Sequence, residues 1–294
     1  MSEGHFTQEI VKAWIKDKSN GVSFSPSTIR SELGVASPKA RVHLGVILGR
    51  LVDEGFIRRL ERGSYQLIEQ EFQEDDLTKV NPTNTYPCRI PFGNINLEDY
   101  VVLFPRSVAA LVGVTNAGKT GFCFDLIKAN MIQLDVWYFY CEGGPEQLVD
   151  RLLLKFPDMT MKDWQFHPVF RTRDFVQAIK PHALNIIDFI GLTEKFWEID
   201  LIYQEIITKL TTGICWVMLQ KNPSTKLQRV DWAPGGHFTE DRTSLYLVLE
   251  NNTLRIKKAK KPTNPGVNPN NMKFSYQFND RTQFINVQRV SDIM

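Results

Sequence analysis

The sequence of 294 residues lacks the features that would mark a membrane protein or a disulfide-bonded protein. No apolar run is long enough to span a bilayer, and residues 1–16 carry polar and acidic residues where a signal peptide requires an apolar core. The four cysteines, Cys88, Cys123, Cys141 and Cys215, form no C-x-x-C pair. This spacing argues against a disulfide framework and a zinc site. We therefore expect a cytoplasmic protein with reduced thiols, encoded by a bacterium, a phage or another mobile element.

A strong excess of charge is also lacking. Lys and Arg number 35 and Asp and Glu number 33, so the net charge is +2 with histidine neutral. This balance does not by itself indicate a nucleic-acid-binding protein, because a basic face can be hidden among acidic ones. The length allows two domains, since single cores rarely grow far beyond a couple of hundred residues. We predict a domain of residues 1–69, an acidic and then Pro- and Asn-rich linker of residues 70–95, and a domain of residues 96–294.

Three helical patterns and a basic hairpin are present in residues 5–69. A serine followed by a proline predicts the N-cap of the second helix at Ser25 and of the third at Ser37. Four apolar residues of the third helix are predicted to face the core: Val42, Val46, Ile47 and Leu51. The arrangement resembles a winged helix-turn-helix domain, which implies DNA contact through a recognition helix and a wing. The basic residues for this contact would be Lys39, Arg41, Arg50, Arg58, Arg59 and Arg62. A winged helix that binds protein is the alternative.

The segment G-V-T-N-A-G-K-T fits the phosphate-loop pattern G-x-x-x-x-G-K-[ST]. It follows an apolar run at residues 108–112 and precedes a helical pattern at residues 122–127, so the predicted order is strand, loop, helix. In this order, backbone N–H groups surround the phosphates, the lysine neutralises their charge and the threonine hydroxyl holds Mg²⁺. We predict that ATP binds to Gly113, Val114, Thr115, Asn116, Ala117, Gly118, Lys119, Thr120 and Gly121.

Three further apolar runs alternate with helical patterns, which predicts an α/β fold with a mainly parallel sheet flanked by helices. The first run ends at Glu142, which could activate the attacking water. The second ends at Asp188, a Walker B pattern whose carboxylate would hold Mg²⁺ together with Thr120. The third ends at Gln220, which could sense the γ-phosphate. For Glu142 the alternative is a capping glutamate near the start of a helix. For Asp188 and Gln220 it is an ordinary polar residue at a strand end.

Together these residues resemble the RecA-like ATPases and, among them, the motor domain of DnaB-like helicases. The resemblance is carried by residues 140–153, which contain a strand, a glutamate and an E-Q-L…R-L helix, and by residues 235–249. Residues 254–260 are similar to the family's basic finger, although Lys260 stands where the family usually has arginine. The resemblance implies a RecA-like sheet, a magnesium-dependent ATPase, and a homo-oligomer that forms a hexameric ring or a filament. It also implies that Lys258 and Lys260 reach the γ-phosphate bound by the next subunit.

A long basic segment follows Gln220. It suits a loop that grips a nucleic-acid backbone, with Trp232 or Phe238 available for base stacking. The residues predicted to contact DNA there are Lys221, Lys226, Arg229 and Arg242, and a surface loop that binds nothing is the alternative. The expected function is an ATP-driven DNA motor, a DnaB-like helicase of replication or recombination targeted by the winged helix. An ATP-switched clamp, a recombination mediator or a regulator is a second expectation, and a KaiC-like or signalling ATPase with a protein partner is a third.

Overall fold

The computed structural model describes residues 7–18, 22–61, 63–68, 76–190, 198–221, 231–279 and 283–290. Contacts between residues divide the chain into two compact units, Met1–Val80 and Asn81–Met294. Within the described ranges, no helix combines the length and the apolar character needed to cross a membrane. All four cysteines are free thiols.

The first unit consists of three helices and a hairpin. They are α1 (Gln8–Lys18), α2 (Pro26–Glu32), α3 (Pro38–Asp53), β1 (Ile57–Glu61) and β2 (Ser64–Leu67), followed by a 3-10 turn at Leu77–Lys79. Ser25 and Ser37 cap α2 and α3 as predicted, because each side chain accepts a hydrogen bond from a backbone N–H three residues later. Phe24 forms an antiparallel bridge with Tyr65 of β2. A third short extended segment therefore joins the hairpin.

The buried face of α3 differs from the predicted one. Four residues at the spacing i, i+3, i+4, i+7 are buried: Leu44, Ile47, Leu48 and Leu51. The prediction was wrong for Val42 and Val46, whose exposed fractions are 71% and 45%. These two valines lie on the side of the helix opposite the leucine row, and a helix has only one face to bury against α2 and β1.

The second unit contains the remaining helices and strands. The strands are β3 (Pro91–Phe92), β4 (Ile95–Asn96), β5 (Val108–Gly113), β6 (Val136–Tyr140), β7 (His167–Phe170), β8 (Leu184–Asp188), β9 (Ile214–Gln220), β10 (Leu245–Leu249), β11 (Thr253–Ala259), β12 (Lys273–Asn279) and β13 (Gln283–Val290). The helices are α4 (Lys119–Asn130), α5 (Pro145–Lys155), α6 (Phe175–Ala178), α7 (Ile199–Lys209) and α8 (Phe238–Asp241), with 3-10 turns at Leu97–Asp99 and Met161–Asp163.

Nine of these strands form one sheet in the order β13-β12-β11-β10-β5-β9-β8-β6-β7, and β3 pairs with β4 separately. The strands from β10 to β7 in this order are parallel to their neighbours. The strands β11, β12 and β13 extend the sheet as an antiparallel meander. The prediction of an α/β fold with a mostly parallel sheet flanked by helices is therefore confirmed.

Alternate residues of the parallel strands supply two cores, one on each face of the sheet. Leu111 of β5 packs in the core that contains α4 and α5, whereas Val112 packs in the core that contains α7. Burial on both faces explains why these strands are continuous apolar runs in the sequence. Ile90 and Phe92, within the predicted linker, are also buried in the α4-side core. That part of the predicted linker thus belongs to the second unit.

Strand register brings several strand ends to one edge of the sheet. Gly113 of β5 pairs with Gln220 of β9, and Tyr140 of β6 pairs with Asp188 of β8. Each of these four residues is the last residue of its strand. Because the strands are parallel, their carboxyl ends lie at the same edge of the sheet. Ligands of open α/β sheets bind at this edge.

Candidate nucleotide-binding site

The loop between β5 and α4 turns through two residues with left-handed backbone conformations. Asn116 has φ 62° and Gly118 has φ 99°. A Cβ atom on Gly118 would lie 2.4 Å from Cζ of Phe278 and 3.0 Å from Cζ of Phe284. Position 118 therefore requires glycine for its backbone and for the space around it. Since α4 begins at Lys119, the first N–H groups of the helix have no intrahelical partner and are available to an anion.

Aromatic residues of the hairpin β12–β13 brace this loop. The hydroxyl of Tyr276 shares its single proton between the carbonyl oxygen of Ala117, at 3.1 Å, and the carbonyl oxygen of Glu250. The rings of Phe278 and Phe284 pack with their centroids 5.0 Å apart. Sequence reasoning missed these three aromatic residues, because alternation in this segment predicts a strand but not the loop against which it packs.

The ammonium group of Lys119 is turned toward its own loop. It donates to the carbonyl oxygens of Gly113 at 3.0 Å and Val114 at 2.9 Å and to Oε1 of Gln220 at 3.2 Å. The amide of Gln220 donates in turn to Oγ1 of Thr115 at 2.8 Å. Burial lowers the pKa of Lys119, and the nearby Asp188 opposes this effect. All three acceptors are neutral, so the anionic oxygens of a phosphate would be stronger partners for the ammonium group.

Asp188 lies beside Thr120 at the end of β8. The hydroxyl of Tyr138 donates to Oδ2 of Asp188 at 2.6 Å, and the side chain of Thr120 also hydrogen-bonds to this carboxyl. Burial raises the pKa of Asp188 above its usual value, although both hydrogen bonds and Lys119 act in the opposite direction. The two side chains predicted to hold Mg²⁺ are thus adjacent. A divalent cation would offset the cost of burying the Asp188 carboxylate.

Five residues that the sequence predicts for nucleotide chemistry line one pocket with a volume of about 470 Å³: Lys119, Thr120, Glu142, Asp188 and Gln220. This volume is within the range of small-molecule sites. Glu142 lies two residues after the end of β6 and is exposed. The next residue, Gly143, has φ 72°, and a Cβ atom there would lie 1.8 Å from Oε1 of Gln147. Glycine at 143 therefore permits the sharp turn from β6 into α5.

A buried ion pair joins the two helices beside the pocket. Nζ of Lys155 in α5 lies 3.1 Å from Oδ2 of Asp125 in α4, and the Lys155 side chain is only 2% exposed. Burial raises the pKa of Asp125 to about 6, against the opposing effect of Lys155. Sequence reasoning missed this pair, because the two residues lie on different helices and belong to no motif.

The predicted finger lysines do not line this pocket. The ammonium group of Lys258 donates to the carbonyl oxygens of Glu240 at 2.8 Å and Asp241 at 2.9 Å, at the end of α8. Lys260 is exposed. Their predicted partner is a nucleotide on a neighbouring subunit, so their role stays a prediction.

The residues predicted to contact DNA are in two different environments. On the first unit, Lys39, Arg41, Arg50, Arg58 and Arg59 are exposed. Arg58 donates to Oε1 of Gln66 and Arg59 to the hydroxyl of Tyr65, and both of these partners are neutral. Arg62 lies outside the described residues. Contact of these side chains with DNA stays a prediction.

On the second unit, the corresponding residues are paired within the chain. Arg242 donates to both carboxylate oxygens of Asp200, at 2.5 and 3.0 Å. Lys221 is buried and its ammonium lies 2.6 Å from Oε1 of Glu250. Trp232, which was predicted to be available for stacking, donates its indole N–H to Glu240 at 2.7 Å. Lys226 and Arg229 lie outside the described residues.

No protein-family model matches the sequence, and no curated protein matches it. Within the part of the chain that the structure describes, no group of three or more His, Cys, Asp or Glu side chains is arranged to hold a metal ion. A cation held by Thr120 and Asp188 would therefore take its remaining ligands from phosphate oxygens and water, as Mg²⁺ in phosphoryl-transfer sites commonly does.

Proposed function

We propose that the second unit is a RecA-like, magnesium-dependent ATPase and that the chain acts on DNA as a DnaB-like helicase of replication or recombination. The observation that carries the proposal is the convergence of Lys119, Thr120, Asp188, Glu142 and Gln220 on one pocket. Four separate segments of the sequence supply these residues, and each follows a parallel strand or ends it. A chance match to the phosphate-loop pattern would not bring the other three segments to the same place.

The residues fit Mg-ATP by their chemistry. The first turn of α4 supplies N–H groups that have no intrahelical partner, Lys119 supplies a positive charge, and Thr120 and Asp188 are the hydroxyl and carboxylate that would hold Mg²⁺. The bound ion would neutralise charge on the β- and γ-phosphates. Aromatic packing around Gly118 keeps the loop in its anion-binding conformation, so little reorganisation is needed when the nucleotide enters.

Each side chain then has one task during hydrolysis. Lys119 leaves its neutral acceptors and stabilises the phosphate charge that develops during transfer. Glu142 orients a water molecule and accepts its proton, for which an exposed carboxylate at the rim of the pocket is suitable. Gln220 contacts both Lys119 and Thr115, so it changes partners when a γ-phosphate enters or leaves.

The strand order supports the RecA-like assignment. β9 lies between β5 and β8, so Gln220 is placed between the phosphate loop and Asp188. The antiparallel meander β11–β13 packs its aromatic residues on the loop from the other side. In the proposed oligomer, Lys258 and Lys260 on β11 and just after it would act on the nucleotide of the neighbouring subunit.

We assign the first unit as a winged helix that directs the motor to DNA. Its order of three helices and a hairpin, with the Phe24–Tyr65 bridge beside the hairpin, supports this assignment. Arg41 and Arg50 on α3 and Arg58 on the hairpin are exposed, as contacts with a phosphate backbone require.

One observation favours a second candidate, an ATP-switched clamp, recombination mediator or regulator on duplex DNA. Lys221 and Arg242 are neutralised by carboxylates of their own chain, whereas the basic residues of the first unit are exposed. Duplex binding by the first unit would then be the main DNA contact, and the ATPase would control assembly.

Three assays on the full chain separate these functions. Strand separation that is lost in Lys119→Ala supports the helicase. ATP-dependent assembly on duplex without strand separation supports the clamp. An ATPase rate that no DNA changes would contradict both and would favour a signalling ATPase with a protein partner.

A further inference from the structure

Lys221 is a buried cation outside the proposed nucleotide pocket. Its side chain is 1% exposed, and Nζ lies 2.6 Å from Oε1 of Glu250 and 3.6 Å from Oδ1 of Asp231. Arg255 of β11 forms a further ion pair with Asp231. Two cations and two carboxylates therefore form a cluster. Burial of a charged lysine is costly unless a carboxylate pairs with it. The ammonium group of Lys221 is therefore held beside Glu250 and Asp231.

The cluster joins strand ends on both sides of the phosphate-loop strand. Lys221 directly follows Gln220 at the end of β9, and its backbone N–H donates to the carbonyl oxygen of Gly113 at 2.9 Å. Glu250 directly follows β10, which pairs with β5 on the other side. The Lys221–Glu250 ion pair thus spans β5 at the residue where the loop begins.

The same cluster is connected to the loop itself. The hydroxyl of Tyr276 lies between the carbonyl oxygens of Glu250 and Ala117 and shares its single proton between them. A shift of Glu250 would therefore move the loop, through Tyr276, and the end of β9, through Lys221. Gln220 lies between these two points and contacts Lys119 and Thr115.

We propose that Lys221 is a positioning residue of the ATPase site: its ion pairs with Glu250 and Asp231 hold the end of β9 so that Gln220 stays within hydrogen-bond distance of Lys119 and Thr115. This inference rests on the proposed ATPase function. It gives Lys221 a task different from the DNA contact that the sequence predicts. An apolar pair could hold the two strand ends together equally well. A hydrogen-bonded ion pair also requires one orientation of the two side chains, and so defines where the backbone at the end of β9 lies.

A double-mutant cycle tests the proposal. Lys221→Met, Gln220→Ala and the double variant are compared with the wild type in steady-state ATP hydrolysis and in Mg-ATP affinity. Each single variant is expected to lower kcat about tenfold and to change the Kd for Mg-ATP less than about twofold, because the phosphate loop is retained. The double variant is expected to be no slower than Gln220→Ala alone, because Lys221 acts through Gln220.

Lys209→Met is the matched control. Lys209 is a partly buried lysine of the second unit whose ammonium group donates to the carbonyl oxygens of Val176 at 2.9 Å and Gln177 at 2.8 Å, but it lies on α7 outside the pocket lining. A loss of kcat in Lys221→Met and not in Lys209→Met separates positioning from general stability. Lys221→Arg, which keeps the charge, is expected to recover most of the lost kcat.

Three results would overturn the inference. If the losses of kcat in the two single variants multiply in the double variant, Lys221 acts independently of Gln220. Unchanged kcat with weaker DNA binding in Lys221→Met would assign Lys221 to DNA. If Lys221→Met fails to fold, Asp231→Asn takes its place in the cycle. This variant removes only the longer of the two ion pairs of Lys221, so a smaller loss of kcat is expected, and again no further loss when it is combined with Gln220→Ala. Absence of ATP hydrolysis by the wild type would instead contradict the proposed function, and the inference would fail with it.

Discussion

The phosphate loop of the second unit and the outer face of α3 in the first unit both combine glycine with basic residues, but they are constrained differently. Gly118 has a left-handed backbone and aromatic rings on the side where a Cβ atom would be. Gly45 and Gly49 of α3 have nothing within 4 Å of a Cβ atom. Val42, beside them, is 71% exposed.

The difference lies in how many segments determine each surface. Residues from β5, β9, β12 and β13 meet at the loop, so a change at one position is opposed by several neighbours. The outer face of α3 is determined only by its own helix, and substitutions there meet solvent. We therefore expect changes in the loop and pocket to be costly, and comparable changes on α3 to affect only what the helix binds.

The largest expected effect is at Lys119. Lys119→Ala removes the only charge that the loop itself contributes to the phosphates, so kcat for ATP hydrolysis should fall by about 10³-fold or more. Lys128→Ala, near the end of the same helix, should retain the wild-type rate, because its ammonium lies over the ring of Phe156 and not in the pocket. Steady-state phosphate release measures both, and equal rates for wild type and Lys119→Ala would show that the loop does no catalysis.

The next effect concerns Glu142. Glu142→Gln keeps the size of the side chain but removes the proton acceptor, so hydrolysis should slow by about 10²-fold while Mg-ATP still binds. Glu146→Gln is the matched control, since Glu146 lies on the exposed first turn of α5 outside the pocket lining. Single-turnover hydrolysis and equilibrium binding separate the two steps. Undiminished hydrolysis by Glu142→Gln would remove Glu142 from its role.

Alanine variants of Gly118 and Gly49 test, through the free energy of unfolding, whether the loop is more constrained than α3. Gly118→Ala places a Cβ atom against Phe278 in a left-handed conformation, and should lower the free energy of unfolding by about 2 kcal/mol. Gly49→Ala meets open space within a helix, and should raise the stability of the first unit by up to about 1 kcal/mol. Urea unfolding of the full chain measures both. Similar changes in the two variants would mean that the loop is no more constrained than α3.

The smallest expected effect is the pH dependence contributed by Asp125. Burial raises its pKa in the folded protein to about 6 from 3.8. Between these pH values the folded chain keeps a proton that the unfolded chain has released, so the free energy of unfolding falls as the pH rises, by at most about 1.4 kcal/mol for each pH unit. Asp125→Asn removes this group.

The stability of the wild type minus that of Asp125→Asn should therefore decrease between about pH 4 and about pH 6.5 and be constant above. Urea midpoints at several pH values measure this difference. A difference that increases with pH would mean that the ion pair with Lys155 outweighs burial and that the pKa of Asp125 is lowered instead.

Local patterns predicted the parts of the structure that neighbours in sequence determine. The strand, loop and helix around Lys119 and the caps at Ser25 and Ser37 depend on a few consecutive residues. Asp188, Glu142 and Gln220 could be placed together because the ends of parallel strands share an edge. The choice between two apolar rows on α3 could not be made from the sequence, because it depends on which row contacts α2 and β1.

Contacts between residues that are distant in sequence could not be predicted from such local patterns. Tyr276 contacts Ala117, 159 residues earlier, and Lys221 pairs with Glu250, 29 residues later. A basic residue in a polar segment has the same appearance in sequence whether its charge is free or paired. For that reason Lys221 and Arg242 were predicted as DNA contacts, while the structure places both beside carboxylates.

Everything proposed for the second unit depends on the binding of a triphosphate and its magnesium ion at Lys119, Thr120 and Asp188. Isothermal titration calorimetry of the full chain with Mg-ATP measures this binding, with Lys119→Ala titrated in parallel. We expect saturable binding to the wild type that weakens markedly when Mg²⁺ is chelated or when Lys119 is replaced. Absence of binding to the folded wild type, or equal affinity of wild type and Lys119→Ala, would contradict it.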